Sequence, residues 1–333
     1  MKNIVIVNNT YDPWYNLSLE EYLLSMTPDG SVVLFLWQNA NTVVIGKNQN
    51  PWRECRTELL ESEDGKLARR STGGGAVYHD LGNLNFSFIL DREKQNFTEQ
   101  AKVIVSALEE YGVKAYATGR NDIVTDEGKI SGNAFTYRRT RALHHGTLLV
   151  DVDKEKLGKY LQVSKEKMMA KGIKSVQGRI RNLKEYNDSI TVDDLKDKLI
   201  EKFIAQYGEA DIYDVRKDKN CLDALLDKEE IDRIYKTYSS WEYRYGEAPA
   251  FDTEWVTRFP WGGIEIHLSS KNGIITKNAV FSDAMDECFI SGLTNCFADV
   301  RFKKEDMVNA LLKKYGDNYM ACDIAAYISE KEI

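Results

Sequence analysis

The spacing of hydrophobic and polar positions predicts strands and one helix in the first third of the chain. Residues 3–7, 31–38 and 41–47 are rich in valine, isoleucine and leucine and lack helical spacing, so we expect β-strands there. Residues 17–26 place apolar side chains at helical spacing, which predicts a helix. Residues 67–92 alternate glycine, β-branched and aromatic residues, which again favours strands joined by turns.

A second helix follows, and after it the pattern changes twice. Residues 97–112 have one apolar face, and Asn96 or Thr98 can cap the start of the predicted helix. Residues 113–152 favour strands because short runs of β-branched residues alternate with glycine and charged turns. From residue 152 to residue 245 we expect mostly helices.

The chain changes character around residues 239–251, where a proline and an aromatic cluster suggest a joint. Beyond it, residues 262–270 and 273–281 predict two strands, and helices follow. A length of 333 residues suggests two domains, at about 100–200 residues for each. We therefore predict an α+β protein with a large domain at residues 1–245 and a small α+β domain at residues 246–333.

Composition and charge narrow the possible classes of protein. Hydrophobic residues make up 43% and charged residues 29% of the chain, which is enough for a packed core. The net charge of −7 argues against a general nucleic-acid binder. We expect no membrane span and no signal peptide, because no apolar run approaches the roughly 20 residues that cross a bilayer. A cytoplasmic protein is therefore expected.

The cysteines and histidines do not indicate a metal site or a disulfide framework. The five cysteines form no CxxC pair, and the four histidines show no HExxH spacing. We expect no catalytic metal held by protein ligands alone. The common nucleotide and hydrolase motifs, namely GxxxxGK[ST], GxGxxG and GxSxG, are also missing.

The segment RRSTGGGAVYHD at residues 69–80 is the first candidate for chemistry. Three consecutive glycines expose backbone amides that can wrap an anion or approach a ligand closely. Arg69 and Arg70 point to opposite faces if they lie in a strand, so only one should face a site. An arginine beside such a loop suits a phosphate or a carboxylate. A plain glycine-rich hairpin explains the local pattern equally well.

The second candidate region is residues 119–146. Lys129 lies in a short predicted strand and is either solvent-exposed or part of a site. Asn121 and Asp122 can cap a turn or hold a magnesium-bound phosphate, because Mg²⁺ needs only one or two carboxylates. The same region holds a local basic cluster, which is either a solvated loop or a contact for an anion or a partner: Arg138, Arg139, Arg141, His144 and His145.

These segments, taken in order, resemble the lipoate–protein ligase A family nearly from end to end. The resemblance rests on YDPWYNLSLEEY, LFLWQNANTVVIGKNQNPWREC, RRSTGGGAVYHDLGN, GRNDIV, KISGNAF, HHGTLLVD, AKGIKSV, SSWEYRYGEAPAF and WGGIEIH. It implies a mixed β-sheet flanked by helices, as in the biotin and lipoate ligases, with a small C-terminal accessory domain. It also implies that lipoate and ATP form lipoyl-adenylate and pyrophosphate, after which the lipoyl group passes to an acceptor lysine.

The resemblance assigns roles residue by residue. Lys129 is expected to be catalytic and to contact both lipoate and the α-phosphate, which agrees with a chemistry governed by positioning and electrostatics. Nucleotide and adenylate binding are expected from Arg70, Gly75, Ala76, Val77, Tyr78 and Lys129. Further candidate site residues are Gly73, Gly74, His79, Asn121, Asp122, Gly132 and His145. Mg²⁺ would be held through phosphates near Asp122.

Several features of the reaction stay open at this stage. His79, His145 and Asp122 are equal candidates for the base that deprotonates the acceptor lysine. An apolar tunnel for lipoyl could be lined by Phe35, Trp37, Val44 and Val77, although core packing explains these residues equally well.

The expected partners are lipoyl acceptor domains of 2-oxoacid dehydrogenases or the glycine cleavage H protein, and the expected state is a monomer. The alternatives are an ATP-independent octanoyl or lipoyl transferase, a biotin–protein ligase or a non-catalytic lipoate binder. The cysteine positions and the second domain disfavour the transferase, because transferases of this superfamily use a cysteine thioester. The glycine loop disfavours the biotin ligase.

Overall fold

The computed structural model describes residues 2–118, 121–162, 180–245, 253–271 and 274–331. The strands are β1 Asn3–Val7, β2 Val33–Trp37, β3 Thr42–Ile45, β4 Lys66–Arg69, β5 Val77–His79, β6 Asn83–Asp91, β7 Tyr116–Thr118, β8 Asp122–Thr125, β9 Gly128–Tyr137, β10 Arg141–Leu149, β11 Ala210–Asp214, β12 Thr253–Phe259, β13 Gly262–Lys271 and β14 Ile274–Ser282. The motif AKGIKSV and parts of the expected joint lie outside the described ranges.

The helices connect these strands and follow them at the C-terminal end. They are α1 Pro13–Met26, α2 Pro51–Glu54, α3 Thr57–Ser62, α4 Phe97–Glu109, α5 Lys154–Tyr160, α6 Val192–Tyr207, α7 Lys228–Ser239, α8 Trp241–Arg244, α9 Glu287–Phe297, α10 Lys304–Tyr315 and α11 Tyr319–Ser329. None of the helices within the described ranges combines the length and the apolar character that crossing a membrane requires.

Two helix starts show how local sequence sets the boundaries. Helix α1 begins at Pro13, four residues before the predicted start, because the Asp12 side chain accepts from the Trp14 amide and Pro13 occupies the first turn. Helix α4 starts after Asn96, whose side chain accepts from the Glu99 amide. The prediction for α4 is therefore confirmed, and that for α1 was too short.

The large sheet is mixed and has eight strands in the order β11-β1-β2-β6-β10-β9-β8-β7. Strands β11, β1 and β2 run parallel to one another, and the remaining neighbours pair antiparallel. The predicted mixed sheet flanked by helices is confirmed. The expectation of helices from residue 152 to 245 missed β11, a short and largely exposed edge strand that pairs with β1.

Side chains of β6 show how the large sheet divides the N-terminal part of the chain. Leu84, Phe86 and Phe88 point to one face and pack with α4 and α6. Asn83, Asn85 and Ser87 alternate with them and point to the other face, as the period of a strand requires. Helix α1, helix α7 and the small sheet β4-β3-β5 cover that second face. A polar strip thus lies inside an otherwise apolar layer.

The C-terminal unit has its own core. Strands β12, β13 and β14 form an antiparallel sheet whose inner face packs against α9, α10 and α11. The two predicted strands and the following helices are confirmed. Strand β12 lies between the expected joint at residues 239–251 and the first predicted strand, and the sequence analysis did not predict it.

Candidate functional site

A cavity of about 390 Å³ lies where the large sheet, the small sheet and the C-terminal unit meet. It brings together most of the predicted site residues: Arg70, Gly74, Gly75, Ala76, Val77, His79, Asn121, Asp122, Lys129, Gly132 and His145. Within the described ranges, Gly73 and Tyr78 are the two predicted site residues that do not line it. Residues 119 and 120 of the GRNDIV motif lie outside those ranges.

The glycine-rich segment forms a loop that crosses the end of β3. Strands β4 and β5 flank β3 on opposite sides, so residues 70–76 must pass over its end. The passage is close, because a Cβ at Gly46 would lie 2.3 Å from the carbonyl oxygen of Gly74. Gly74 has φ +91°, a left-handed conformation that favours glycine. The hairpin interpretation is therefore wrong, since the two strands do not pair.

Arg70 is buried beneath this loop and fixes its carbonyl groups. Its Nη2 donates to the carbonyl oxygens of Gly73 at 2.6 Å and Gly75 at 2.8 Å, and its Nη1 donates to Val44 at 3.2 Å. Burial lowers the pKa of Arg70 to about 10, so the guanidinium stays charged at neutral pH. A fixed positive charge therefore lies directly below the loop.

Arg69 points away from the cavity, and the prediction that only one of the two arginines faces the site is confirmed. Its guanidinium donates to five backbone carbonyls, which belong to Gly46, Lys47, Gln49, Tyr243 and Arg244. Arg69 therefore joins the small sheet to the end of α8 and has a structural role.

A buried polar chain links Arg70 to helix α1. The Nε of Arg70 donates to Thr72 Oγ1 at 2.9 Å, and that hydroxyl lies 2.8 Å from Nε2 of His145. Nδ1 of His145 lies 2.9 Å from Oε1 of Glu20, whose side chain is almost fully buried. Glu20 also accepts from the hydroxyl of Ser87. The negative charge of Glu20 therefore compensates the positive charge of Arg70, and the side chains of Thr72 and His145 connect the two.

Lys129 and Asp122 form an ion pair at the open side of the cavity. Lys129 Nζ lies 2.7 Å from Asp122 Oδ1, and both side chains are about one-third exposed. Gly132 makes room for the lysine, because a Cβ there would lie 3.0 Å from Nζ. The lysine can therefore exchange its carboxylate partner for a substrate anion.

Asn121 is held beside this pair by reciprocal hydrogen bonds to β9. Its Nδ2 donates to the Asn133 carbonyl at 3.0 Å, and Asn133 Nδ2 donates to the Asn121 carbonyl at 3.1 Å. Asn133 Oδ1 contacts His144 Nε2 at 2.9 Å, deep in the aromatic core. Asn121 is thereby fixed to the core.

His79 and Tyr78 lie on opposite faces of β5. His79 lines the cavity, and burial, with smaller contributions from Arg70 and His145, lowers its pKa to about 3. Tyr78 points away, where its hydroxyl donates to Asn41 and its ring packs against Tyr160. The predicted role of Tyr78 in nucleotide binding can therefore involve only its backbone.

Part of the buried wall of the cavity is apolar. Trp37, Val44 and Val77 line it, as expected, and Leu17 of helix α1 joins them. Phe35 does not line it, because it packs behind Trp37 with ring centroids 5.8 Å apart. The expectation for Phe35 is therefore wrong.

The expected basic cluster does not form one surface. Arg138 pairs with Glu21, and Arg141 donates to Asp91 and to the carbonyl of Thr27. His144 is buried among aromatic rings, and its pKa is lowered to about 3 by burial. Of these residues with described contacts, His145 is the one that lines the cavity. Successive side chains of β10 point to opposite faces of the sheet, so His144 and His145 lie on different faces.

The C-terminal unit supplies part of the cavity wall, and the sequence analysis assigned no site role to these residues, although Trp261 begins the motif WGGIEIH. Trp261, Arg258 and Met285 line it, and Arg258 Nη1 lies 3.1 Å from Asp283 Oδ2. The amide of Gly74 donates to the Ala284 carbonyl at 3.1 Å. The glycine-rich loop thus lies between the two units of the chain.

Glu20 is a second contributor that the sequence analysis missed. It lies three residues after Leu17 on the buried face of α1, and a carboxylate on an apolar helix face is unusual enough to indicate a site. Gly46 left a weaker signal, because a single glycine after a strand has many explanations.

No cysteine in the described ranges lines the cavity; Cys55 is buried, which raises its pKa to about 12. One group of possible metal ligands lies outside the cavity, on the C-terminal sheet: Glu254, Glu265 and His267, with ligand atoms within 4.8 Å of one another. Glu265 and His267 contact each other directly, and we assign no metal to them.

Comparison with known families shows two matches that together cover most of the chain. Residues 12–204 match the model described as the lipoyl protein ligase A/B catalytic domain. Residues 248–330 match the model described as the bacterial lipoate protein ligase C-terminus. A lipoate-protein ligase A of Psychrobacter cryohalolentis is 40% identical over 308 residues, which cover 92% of this chain and 91% of that protein.

Solved structures give the same result. P. falciparum LipL1 in complex with lipoate has a TM-score of 0.85 at 30% identity, over 99% of this chain and all of that one. A bipartite lipoate protein ligase from Thermoplasma acidophilum, described with its E2 lipoyl domain, has a TM-score of 0.63 at 26% identity, over 76% of this chain and all of that one.

A lipoate-protein ligase A bound with ATP has a TM-score of 0.61 at 25% identity, over 74% of this chain and 99% of that one. The glycine-rich loop and Lys129 lie within the matched catalytic range, and the cavity residues of the C-terminal unit lie within the range matched by the C-terminal family model. This chain therefore belongs to the lipoyl protein ligase A/B family.

Proposed function

We propose that this chain is a lipoate–protein ligase that forms lipoyl-adenylate from lipoate and ATP and transfers the lipoyl group to a protein lysine. The observation that carries the proposal is the cavity itself, which combines an apolar wall at Trp37, a cation at Lys129 and a glycine-rich loop over Arg70. These three parts match an apolar acid, its carboxylate and a nucleotide phosphate. Similar solved structures include LipL1 in complex with lipoate and a lipoate-protein ligase A bound with ATP.

In the adenylation step, a carboxylate oxygen of lipoate attacks the α-phosphorus of ATP and pyrophosphate leaves. The carboxylate is ionised at neutral pH, so the enzyme needs no base for this step. The ammonium group of Lys129 can contact both anions, hold them together and stabilise the charge that develops at phosphorus. Gly132 supports this role because its lack of a side chain leaves space around Nζ.

Arg70 acts mainly by shaping the loop that receives the phosphates. Its guanidinium engages the carbonyls of Gly73 and Gly75, which fixes the orientation of the peptide units between them. The buried positive charge also attracts a phosphate placed on the opposite side of the loop. Gly75, Ala76 and Val77 would then contact the nucleotide through their backbone. Glu20 and His145 position Arg70 through Thr72.

Asp122 fits a magnesium ion that arrives with the nucleotide. Its carboxylate lines the cavity and is partly exposed, and Mg²⁺ usually takes one or two carboxylates with substrate phosphates and water. Such an ion would neutralise charge on the leaving pyrophosphate. Asn121, held by its two hydrogen bonds to Asn133, would orient Asp122 from the neighbouring position.

In the transfer step, the acceptor lysine must lose a proton before its nitrogen attacks the acyl carbon and displaces AMP. Of the three candidate bases, His79 is buried and His145 is engaged by Glu20 and Thr72. Asp122 is the partly exposed candidate, and it becomes available once pyrophosphate has left. We therefore propose Asp122 as the base that takes the proton from the acceptor lysine.

The proposed partners are lipoyl domains, either of 2-oxoacid dehydrogenases or of the glycine cleavage H protein. Support comes from the Thermoplasma acidophilum ligase that is described together with its E2 lipoyl domain. A monomer in the cytoplasm is proposed because one chain supplies all the described walls of the cavity and all five cysteines are free. The proposed domain boundary remains at residues 245 and 246.

Exchange of labelled pyrophosphate into ATP tests the adenylation step directly. We expect exchange that depends on lipoate and is absent with biotin. Octanoate serves as a second acid, because the apolar wall accepts an unbranched chain. A transferase that uses a thioester, or a passive lipoate binder, would give no exchange with any acid, and this result would overturn the proposal.

A further inference from the structure

Two buried polar atoms in the cavity wall have no hydrogen-bond partner within the described residues: Nδ2 of Asn85 and Nε2 of His79. Their side chains are only 2% and 3% exposed, so bulk water does not satisfy them. Leaving a buried donor unpaired costs free energy, and native proteins rarely leave one without a reason. Because both atoms belong to residues that line the cavity, a ligand atom is the natural partner.

The contacts behind His79 identify its unpaired atom as a donor. Asn16 Nδ2 donates to two backbone carbonyls and to Asn39 Oδ1, which leaves the amide nitrogen of Asn39 facing Nδ1 of His79 at 3.2 Å. Nδ1 must therefore accept. Since burial keeps the ring neutral at pH 7, its single proton lies on Nε2.

The unpaired atom of Asn85 is also a hydrogen-bond donor. Its Oδ1 accepts from Asn83 Nδ2 at 2.9 Å, which leaves the amide nitrogen as the unpaired atom of this cavity-lining residue. Trp37 and Thr147 lie directly across from Asn85 on the two neighbouring strands. The Trp37 ring also meets His79 edge-on, with centroids 6.4 Å apart. Both donors therefore belong to the wall that includes Trp37.

The distance from Lys129 places these donors at the far end of a bound acid. Thr147 Oγ1 accepts from the amide of Gly132, the residue against which Lys129 packs. Strands β9 and β6 are separated by β10, so Asn85 lies about 10 Å from Gly132, at two strand spacings. An acid whose carboxylate binds Lys129 and whose chain follows the floor of the cavity therefore ends near Asn85 and His79.

We propose that Asn85 and His79 donate hydrogen bonds to the dithiolane sulfurs of lipoate, and that this contact makes the cavity select lipoate over octanoate. The inference rests on the proposed lipoate ligase activity. Octanoate ends in a methyl group and leaves both donors unpaired, whereas the sulfurs carry lone pairs that accept weakly. A site built to pair a polar substrate group discriminates against an analogue that lacks this group.

The test compares kcat/KM for lipoate and for octanoate in pyrophosphate exchange. The wild-type chain should favour lipoate, and Asn85→Leu should lower the lipoate-to-octanoate ratio about five-fold, the value of one modest hydrogen bond. The ratio within one variant cancels any loss of folded protein. Asn278→Leu is the matched control, because it removes another amide with a buried unpaired atom outside the cavity and should leave the ratio unchanged.

A second measurement uses the wild-type chain and does not depend on a variant that folds. An octanoate analogue with a keto group near the end of its chain offers a stronger acceptor than sulfur, and it should react faster than octanoate. Equal rates for lipoate and octanoate, or an unchanged ratio in Asn85→Leu, would overturn the inference and indicate that trapped water satisfies the two donors. If none of the acids supports exchange, the result would instead overturn the proposed ligase activity.

Discussion

At the residue scale, the guanidinium of Arg70 organises the site. It is buried, charged and bonded to carbonyl groups of the loop that it supports, and Thr72 and His145 connect it to the carboxylate of Glu20. A lysine cannot reproduce this pattern, because its ammonium is a compact charge without the planar fork. The site therefore depends on the shape of the cation as well as on its charge.

Arg70→Lys tests this dependence. We expect the free energy of unfolding to fall by about 2–4 kcal/mol, because charged hydrogen bonds in a buried place are lost, and the KM for ATP to rise. Chemical denaturation and exchange kinetics measure both effects. Arg92→Lys, at an exposed arginine, is the control and should change stability by no more than about 0.5 kcal/mol. Wild-type stability and KM in Arg70→Lys would contradict the assigned role.

The two buried histidines make stability depend on pH. Burial lowers the pKa of His79 and of His144 to about 3, below the ordinary value of 6.5. Below about pH 6.5 the unfolded chain takes up protons that the folded chain does not, so the unfolded state is favoured as the pH falls towards 3. Within this window, each histidine should lower the free energy of unfolding by about 1.4 kcal/mol for each unit by which the pH falls.

His144→Gln isolates one of these contributions. The amide nitrogen of glutamine can still donate to Gln100 Oε1 or to Asn133 Oδ1, the two oxygens that face the imidazole. We expect the free energy of unfolding to fall less steeply between about pH 6 and pH 5 than in the wild-type chain, by roughly one histidine's share. Denaturant titrations at several pH values give both slopes. Identical slopes would show that His144 is protonated in the folded state.

At the scale of elements, the crossing of the glycine-rich loop over β3 shows what sequence can and cannot predict. The three glycines indicated a loop near an anion, and Lys129 was placed correctly in a strand. The order β4-β3-β5 was not visible, because pairing between distant strands leaves no local pattern. Because β4 and β5 each pair with β3, the segment between them is a crossing loop and not a hairpin. This arrangement also places Gly46 in close contact with Gly74.

Two neighbouring glycines of this loop differ in whether the structure can accept a side chain at their position. At Gly74 φ is +91°, and a Cβ would lie 3.0 Å from both Arg70 Nη2 and the Met285 sulfur. We expect Gly74→Ala to destabilise the chain by about 1–3 kcal/mol, since a left-handed alanine alone costs about 1–2 kcal/mol. At Gly75 a Cβ meets nothing within 4 Å.

Gly75→Ala is therefore the matched control for folding, and it should stay within about 0.5 kcal/mol of the wild type. Thermal or denaturant unfolding of both variants compares them under the same conditions. Equal losses in the two variants would mean that Gly74 has no special conformational requirement.

At the scale of the whole molecule, the C-terminal unit completes a site that the catalytic part begins. One of its contacts with the catalytic part is made by Glu287, a buried carboxylate that accepts from Thr136 and lies 3.7 Å from Arg138 and 4.0 Å from Lys47. The sequence predicted a second domain of the correct class. It could not predict which surface this domain covers, because that surface joins residues far apart in the chain.

Glu287→Ala should loosen this contact. Because the two units have separate cores, we expect their unfolding transitions to lie further apart in calorimetry than in the wild-type chain. Glu305→Ala, which removes an exposed carboxylate in the first turn of α10, is the control and should leave the profile unchanged. A Glu287→Ala profile that matches the wild type would show that other contacts hold the units together.

The most direct test of the proposed adenylation site is lipoate-dependent pyrophosphate exchange by Lys129→Ala. Removal of the cation that joins the carboxylate and the α-phosphate should reduce exchange by about a thousand-fold, as the loss of a group that stabilises transition-state charge does elsewhere. The fold should stay intact because Lys129 is partly exposed. Lys102→Ala, at an exposed lysine of α4, should exchange at the wild-type rate. A folded Lys129→Ala protein that also exchanges at that rate would contradict the assignment of Lys129.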